Sequence, residues 1–478
     1  MTSEFVRKCR DRIGHHFGAA LADKASDAFC EAFDPDSGNP RRPWRVIVEL
    51  EPQPLPAMKF QEAVERLRAA FVARDVLAGV RSALAEVLGE DAARGLTGGM
   101  DATALVREAY VQDLHARSHR AAAHVLELLK RHTAERLAPL LPGTGPLEAV
   151  FATEYCWLSH TIRTWPNLPA LLALAEDPAV RRIELPRPLS LEVAVSGVAV
   201  GAVDYRQRTG RTGKGVVVAV IDSEVKRDHP ALNGRVHRSG NYSGEDWGEP
   251  HPHGTAVAGI IAGDDATHTG MAPGAIIYNY KIDATFGKEP DEFGGCCALA
   301  RALLDRARIA NCSWGTDAPT DGTSPVVRAV ENAWGCGMTV VKSAGNDGPI
   351  TSPADAKDII VVGATNRCGT VVMGYSSRGP TQNKLNRPHL VAPGGSDASP
   401  IKTCDVDDDF SEIKKPGTSF AAAHVSGLLA LLLEDKPQLT PDEQLACLLK
   451  NCKMIGQDVN AEGAGFISLQ GVVSCPPP

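Results

Sequence analysis

The chain has 478 residues, of which 43% are hydrophobic, and its formal net charge is −8 at pH 7. This length exceeds one ordinary domain core and predicts two or three units. The acidic balance, without a long basic run, argues against nucleic acid or an anionic membrane surface as a partner. Charges interrupt the N-terminal stretch where a signal peptide needs an apolar core, and no apolar run approaches the roughly 20 residues of a membrane-spanning helix. We therefore expect no membrane partner.

The twelve cysteines have neither the paired spacing of metal ligands nor the density of a disulfide scaffold. Their distribution favours free thiols in a reducing compartment, which predicts a cytoplasmic protein. The adjacent Cys296 and Cys297 are interpreted as small apolar packing residues rather than as a redox switch.

The first part of the sequence predicts a helical arm followed by a mixed α+β unit. Residues 1–43 have helix-like apolar spacing and end in a polar loop. Residues 44–190 begin with the strand Trp44–Leu50, continue through long helical segments, and return to a strand, a short helix and a last strand that ends near Pro188. A helical insertion at about residues 73–146 interrupts this unit.

After a linker at residues 191–213, residues 214–475 predict a second, larger unit. Apolar runs of strand length alternate there with helical stretches, which is typical of a parallel sheet with helices on both faces. The runs are VVVAVID, AIIYNYKI, RIANCSWG, MTVVKSAGN and DIIVVGA. Because sites in such sheets lie at the carboxyl ends of the strands, Asp222 and Asn346 stand where a catalytic site is expected.

Three short strings in this larger unit carry the groups that make a serine nucleophilic. Asp222 lies in VVVAVIDSEV, His253 in HPHGTAVAG and Ser419 in GTSFAAAHVSG. A carboxylate, an imidazole and a hydroxyl together form such a nucleophile at neutral pH. Singly, Asp222 is better explained as a turn residue and Ser419 as a helix N-cap. Their joint occurrence favours catalysis.

These strings resemble the signatures of the subtilisin-like serine proteases, in that family's order of Asp, His and Ser. The resemblance covers about Gly215 to Gly427 and implies a doubly wound, mostly parallel α/β sheet. It also implies that Ser419 is the nucleophile, that His253 is the general base and that Asp222 orients the imidazole. Asn346, in the string SAGN, stands where the family has its oxyanion-hole amide.

The same resemblance implies a binding site for a protein or peptide substrate. The string NCSWG would form one wall of the S1 pocket, which receives the side chain on the acyl side of the cleaved bond, and would pair with the substrate backbone. An acid at Asp347 would favour a basic substrate residue there, although a solvated turn residue is an equal alternative. The implied binding residues are Ser313, Trp314, Gly315, Ala344, Gly345 and Asp347.

The N-terminal unit resembles the inhibitor-type propeptides of this family. The strand RVIVELE and the segment ALLALAEDPAVRRIELPRP carry this resemblance. It implies a ferredoxin-like α+β domain that acts as an intramolecular inhibitor and chaperone, with its tail around Leu189–Val200 in the cleft. A helical recognition or docking domain stays open as an alternative, because of the insertion.

Three departures from the family pattern qualify the resemblance. Glu224 replaces a glycine two residues after Asp222, which would strain the backbone at positive φ or let the side chain contact a basic residue of the substrate or propeptide. Ala423 replaces a proline four residues after Ser419, which would let an amine accept the acyl group. Ala231 replaces an aspartate and the loop at Gly263 is short, so we predict no tight calcium site, and we assign no metal or cofactor.

The sequence therefore predicts a serine endopeptidase as the first hypothesis. A leader-removing protease, transpeptidase or macrocyclase in peptide maturation is the second hypothesis. A catalytically silent binding module is the third.

Overall fold

The computed structural model describes residue 24 and residues 46–51, 61–65, 102–137, 154–164, 168–184, 189–191 and 199–469, the last range with short gaps at 233, 266–268, 284–290, 317–318, 398–399, 408–409 and 413–415. The chain divides into two compact units: Met1–Leu55 with Asp113–Arg187, and Pro56–Gln112 with Pro188–Pro478. Apart from residue 24, the predicted helical arm lies outside the described residues.

The first unit contains a four-stranded antiparallel sheet. Its strands are β1 (Val46–Leu50), β2 (Glu154–Cys156), β3 (Thr161–Thr164) and β4 (Val180–Glu184), in the spatial order β2-β3-β1-β4. The helix α1 (Ala102–Leu137) comes between β1 and β2 in the sequence, and α2 (Leu168–Glu176) comes between β3 and β4. The predicted order of strand, helices, strand, helix and strand is found in the described residues with one difference: the segment EYCWLSHTIRTWP, predicted as a single strand, forms the two antiparallel strands β2 and β3.

The core of this unit follows from alternation along β1. Val46, Val48 and Leu50 are fully buried because alternate residues of a strand share one face. They pack with Val125 of α1 and Leu174 of α2 in one hydrophobic cluster. The sheet thus covers its apolar face with helices that belong to the same unit.

The second unit is built on a nine-stranded sheet. Its strands are β6 (Val217–Asp222), β7 (Val236–Asn241), β8 (Ile276–Lys281), β9 (Ile309–Cys312), β11 (Thr339–Ser343), β12 (Ile360–Thr365), β13 (Leu390–Pro393), β16 (Cys452–Lys453) and β17 (Phe466–Ile467). Their spatial order is β16-β17-β13-β12-β11-β9-β6-β8-β7, and neighbouring strands are parallel except for β16 and β17. All five apolar runs named in the sequence contribute a strand to this sheet.

Helices cover both faces of this sheet. The helices are α3 (Ala202–Thr209), α4 (Pro252–Ala262), α5 (Glu292–Leu304), α6 (Pro325–Gly335), α7 (Thr418–Asp435), α8 (Pro441–Lys450) and α9 (Val459–Glu462). Val218 and Val220 of β6 share a core cluster with α4 and α7. The alternate residues Ala219 and Ile221 are equally buried and point to the opposite face. The doubly wound α/β arrangement expected from the sequence is confirmed.

Two short strand pairs lie outside the large sheet, and one of them is relevant to the site. β5 (Leu189–Leu191) pairs antiparallel with β10 (Trp314–Thr316), with Leu191 opposite Trp314 and Leu189 opposite Thr316. β14 (Lys402–Cys404) pairs antiparallel with β15 (Phe410–Glu412). The segment that follows the first unit in the sequence therefore adds a strand to the NCSWG string.

The cysteines depart at one position from the expectation of free thiols. Eight of the described cysteines form no disulfide, but Cys447 of α8 is disulfide-bonded. The cytoplasmic location stays a prediction. Among the described residues, no helix is long and apolar enough to cross a membrane.

Candidate active site

Asp222 and His253 form a buried contact at the carboxyl end of β6. Asp222 is the last residue of that strand, and His253 is the second residue of α4. Their atoms His253 Nδ1 and Asp222 Oδ1 are 2.6 Å apart, and both side chains are fully buried. Because a carboxylate oxygen accepts, this contact places the imidazole proton on Nδ1.

Ser223 and Gly254 hold this pair in place. The Ser223 hydroxyl donates to Asp222 Oδ1 at 3.2 Å and accepts from the Gly254 backbone N–H at 3.0 Å. A Cβ at Gly254 would lie 2.7 Å from the Ser223 carbonyl oxygen and 3.2 Å from Asp222 Oδ1. The glycine after His253 is therefore required by close approach of the strand end to the helix start.

His251 caps the helix that carries His253. Its Nδ1 accepts from the His253 backbone N–H at 3.2 Å, and its backbone N–H donates to the Glu224 carbonyl oxygen at 2.9 Å. Burial lowers the pKa of His251, the charge of His253 adds to this effect, and Asp222 opposes it. The lowered pKa favours the neutral ring, which alone offers a nitrogen that accepts the cap hydrogen bond.

Ser419 lies at the start of α7, beside the strand β10. Gly417 is the N-cap of this helix, so the hydroxyl of Ser419 stands at the positive end of the helix dipole. Ser419 Oγ donates to the Ser313 carbonyl oxygen at 3.4 Å, and Ser313 Oγ donates to the Ser419 carbonyl oxygen at 2.9 Å. The next residue, Phe420, places its ring 5.7 Å from the His253 ring. These contacts place the segment GTSF, which contains Ser419, beside Asp222 and His253.

Asn346 follows β11 and is anchored to the same helix start. Its Oδ1 accepts from the Thr418 backbone N–H at 3.0 Å and from Thr418 Oγ1 at 3.2 Å. Thr418 Oγ1 also accepts from the Gly345 backbone N–H at 3.1 Å. The carbonyl side of the amide is therefore held by Thr418, and the Nδ2 donors point away from it.

The other residues assigned to substrate binding differ in their surroundings. Trp314 is fully buried and its indole N–H donates to the Ile221 carbonyl oxygen at 2.8 Å, so it joins β10 to the strand that carries Asp222. Ala344 is buried, and its backbone N–H donates to Val362. Asp347 is exposed at φ 55° and donates its backbone N–H to Tyr375, which is the geometry of a turn residue.

Glu224 does not have the surroundings expected for it. Its φ is not positive, and its buried carboxylate binds this chain's own cations: Arg238 at 2.6 Å and Lys281 Nζ at 3.3 Å. The carboxylate also accepts from the Gly248 backbone N–H at 3.0 Å. The suggestions of backbone strain and of a contact with an external basic residue are therefore wrong, because β7 and β8 supply internal partners.

Ser223, Thr418 and Lys281 are site residues that the sequence analysis missed. Ser223 follows Asp222 in the string DSEV, and Thr418 precedes Ser419 in the string GTSF. Lys281 is a charged residue at the end of the apolar strand β8, paired with Asp222 across the sheet. A lysine at the end of an otherwise apolar strand was the feature of the sequence that could have indicated it.

Comparison with known proteins assigns the chain to a family. Residues 213–471 match the model of the subtilase family. The serine protease AprX of Bacillus subtilis (strain 168) is 32% identical over 337 residues, which are 63% of this chain and 76% of that protein. An alkaline protease of Alkalihalobacillus alcalophilus is 29% identical over 335 residues, 66% of this chain and 80% of that protein. A solved structure titled as a cold adapted subtilisin-like serine proteinase has a TM-score of 0.46 and 25% identity, covering 54% of this chain and 90% of that chain. With more than half of its length matched to the family, this chain belongs to the subtilases and is a serine endopeptidase.

Proposed function

We propose that this endopeptidase cleaves peptide bonds through an acyl-enzyme on Ser419. The observation that carries the proposal is the buried 2.6 Å contact between His253 Nδ1 and Asp222 Oδ1, next to the helix start that holds Ser419. With its proton on Nδ1, the imidazole offers the Nε2 lone pair as a base. Asp222 then stabilises the imidazolium that forms.

The chemical steps follow from these assignments. His253 Nε2 takes the Ser419 hydroxyl proton while Oγ bonds to the scissile carbonyl carbon, giving a tetrahedral oxyanion. The imidazolium returns the proton to the leaving amine, and the C–N bond breaks. Water then attacks the ester with His253 again as base, which releases the acid product and restores the Ser419 hydroxyl.

Asn346 is proposed as a donor to the oxyanion. Because Thr418 holds the amide oxygen, the Nδ2 group is the side that faces a substrate. The backbone N–H of Ser419, at the first turn of α7, is the second donor and acts with the helix dipole.

We further propose that the first unit is a ferredoxin-like inhibitor domain of the propeptide type. Its strand order β2-β3-β1-β4, with helices after β1 and β3, is the order of the split βαβ motif. The pairing of Leu189–Leu191 with β10 is the added-strand mode by which an extended peptide binds a sheet edge. The segment after the first unit would then act as the tail that fills the cleft.

A fluorophosphonate probe tests the catalytic assignment. The probe should label the wild-type chain and should not label Ser419→Ala, and Asp222→Asn should react far more slowly. An unlabelled wild type would favour a silent binding module. Product masses then separate hydrolysis, which adds one water, from transfer to an amine, which adds none.

The inhibitor assignment has its own test. Purified wild-type chain should be cut within Leu189–Val200, whereas Ser419→Ala should stay intact. A chain that stays intact and shows full peptidase activity would favour a docking domain instead.

A further inference from the structure

Part of the N-terminal sequence belongs to the second unit rather than to the first. β1 and β2 are strands of the first unit, but residues 56–112, which lie between them in the sequence, group with Pro188–Pro478. The structure describes two parts of this stretch, residues 61–65 and the beginning of α1, residues 102–112. We call these two parts the anchor segments. The chain therefore leaves the first unit after Leu55 and returns to it at Asp113, within α1.

Arg107 attaches the second anchor segment to the end of α5. That helix ends at Leu304, and Arg306 follows it at φ 61°. Arg107 Nη1 donates to the Arg306 carbonyl oxygen at 3.4 Å, and Nη2 donates to the Ala307 carbonyl oxygen. Arg107 is buried in this position. Because the C-terminal end of a helix carries a partial negative charge, the guanidinium group is stabilised there by more than its hydrogen bonds.

Gln61 attaches the first anchor segment to the start of α8. Thr440 is the N-cap of that helix and accepts from the Glu443 backbone N–H at 3.3 Å. The Thr440 hydroxyl is also within hydrogen-bond distance of Gln61 Oε1 and of Glu443 Oε2. Gln61 Nε2 in turn donates to Glu65 Oε1 at 2.9 Å. Thr440 is fully buried, so the first anchor segment meets a capping residue of the second unit that is shielded from water.

Apolar side chains of the anchor segments are buried as well. Val106 and Tyr110 are four residues apart in α1, so they share one face of the helix. The buried apolar residues are Ala63 and Val64 in the first anchor segment and Val106, Tyr110 and Val111 in the second. Withdrawing these segments from the second unit would expose apolar surface to water, which is unfavourable.

We propose that the ends of α5 and α8 form a docking surface outside the active site, and that the anchor segments bound there keep the N-terminal region attached after its tail has been cut. This inference rests on the proposed function of the first unit as an inhibitor. The N-terminal fragment produced by a cut within Leu189–Val200 contains both anchor segments. A fragment held by the anchor segments and by its tail binds more tightly than through either alone. The processed protein is then a stable two-chain complex, and cutting the tail does not by itself release the inhibitor.

The test uses Ser419→Ala with the recognition sequence of an added protease inserted after Glu192, so that the cut does not depend on this enzyme's own chemistry. Size-exclusion chromatography of the cut protein shows whether the two fragments elute together, as we expect. Ser190→Pro combined with Leu191→Pro disrupts the pairing of the tail with β10, because the N–H groups of consecutive strand residues point to opposite sides and one of them faces the partner strand. The fragments should still elute together in this variant. Their separation would show that the tail alone holds the fragment, which overturns the proposal.

Variants of the anchor segments assign the retention to them. In the double-proline background, Arg107→Ala should speed dissociation of the cut fragments about 10- to 100-fold, and Gln61→Ala about 3- to 10-fold, as expected for lost hydrogen bonds to a charged and to a neutral group. Arg120→Ala is the matched control, because Arg120 is an exposed arginine of the same helix. Each variant is melted before it is cut, so a failure to fold is seen separately, and Gln61→Ala then decides if Arg107→Ala does not fold. Dissociation rates equal to that of the control would overturn the proposal.

Peptidase activity separates this inference from the proposed function. In the chain that retains Ser419, Arg107→Ala should shorten the lag between cutting of the tail and the appearance of activity, because the fragment leaves sooner. If the fragment is held by the anchor segments but its release leaves activity unchanged, the inhibitor assignment is refuted and the docking surface stands. If the fragment dissociates as soon as the tail is cut, yet inhibits when it is added back, the docking surface is refuted and the inhibitor assignment stands.

Discussion

Glu224→Gln should destabilise the second unit strongly. The Glu224 carboxylate is fully buried, as is the side chain of its partner Lys281 at 3.3 Å, whereas Arg238 at 2.6 Å is 32% exposed. Removing one charge of a buried pair costs about 3–5 kcal/mol, and here it leaves Lys281 with the more distant and partly exposed Glu245 carboxylate, 4.0 Å away. Glutamine keeps an oxygen that accepts from the Gly248 N–H, so we expect about 3 kcal/mol, the lower end of that range. The second unit comprises Pro56–Gln112 and Pro188–Pro478, and at an unfolding entropy of about 2.1 cal/mol/K per residue that loss corresponds to a fall in Tm of about 4 °C.

The measurement is urea unfolding and thermal melting in a Ser419→Ala background, which prevents self-digestion during the experiment. Glu245→Gln is the matched control, because that carboxylate lies 4.0 Å from the same Lys281 Nζ and is 20% exposed. We expect less than about 1 kcal/mol from the control. Adding Lys281→Met to Glu224→Gln should recover part of the loss, since it removes the uncompensated charge.

The reasoning would be refuted by a loss below about 1 kcal/mol in Glu224→Gln, or by equal losses in Glu224→Gln and Glu245→Gln. Either result would mean that solvent or other side chains compensate Lys281. Activity is a second readout, because the Glu224 carbonyl oxygen accepts from the His251 N–H. A shift of that segment would move the start of the helix that carries His253.

Three further predictions concern turnover, pH and metal dependence. Asn346→Ala should lower kcat by about 10²–10³ with little change in KM, a range measured in subtilisin for loss of an oxyanion-hole donor and carried over here; an unchanged kcat contradicts the role. Burial lowers the pKa of His424 from 6.5 to about 4. The neutral ring therefore stabilises the fold above pH 6.5, and this contribution of about 3 kcal/mol is lost as the pH falls through 4. The free energy of unfolding of Ser419→Ala, measured by urea titration with and without His424→Gln, should therefore depend differently on pH between 6.5 and 4. The same pH dependence in both proteins would contradict the lowered pKa of His424. Addition of a calcium chelator should leave Tm unchanged, since the side chain of Ala231 offers no oxygen ligand to a hard cation; a fall of many degrees would show a metal site.

The local sequence determined where the main site residues lie in the fold. The apolar run before Asp222 predicts a strand buried on both faces, and the carboxyl ends of parallel strands meet at one edge of a sheet. The positions of Asp222 and Asn346 at such ends are therefore predictable from the sequence. Gly254, which follows His253, and the small residues around Ser419 are likewise visible in the local sequence. Nearby backbone leaves no space for larger side chains at these positions.

Tertiary structure alone decided what surrounds those strings. Glu224 looked like an added side chain beside the site, but Arg238 and Lys281, which lie 14 and 57 positions away, are its partners. The indole N–H of Trp314 likewise donates to the Ile221 carbonyl oxygen, 93 positions away. Pairings of this kind depend on how strands stack across the sheet. A residue's local pattern reports whether it is buried, whereas the identity of its distant neighbours is set only when the whole sheet has assembled.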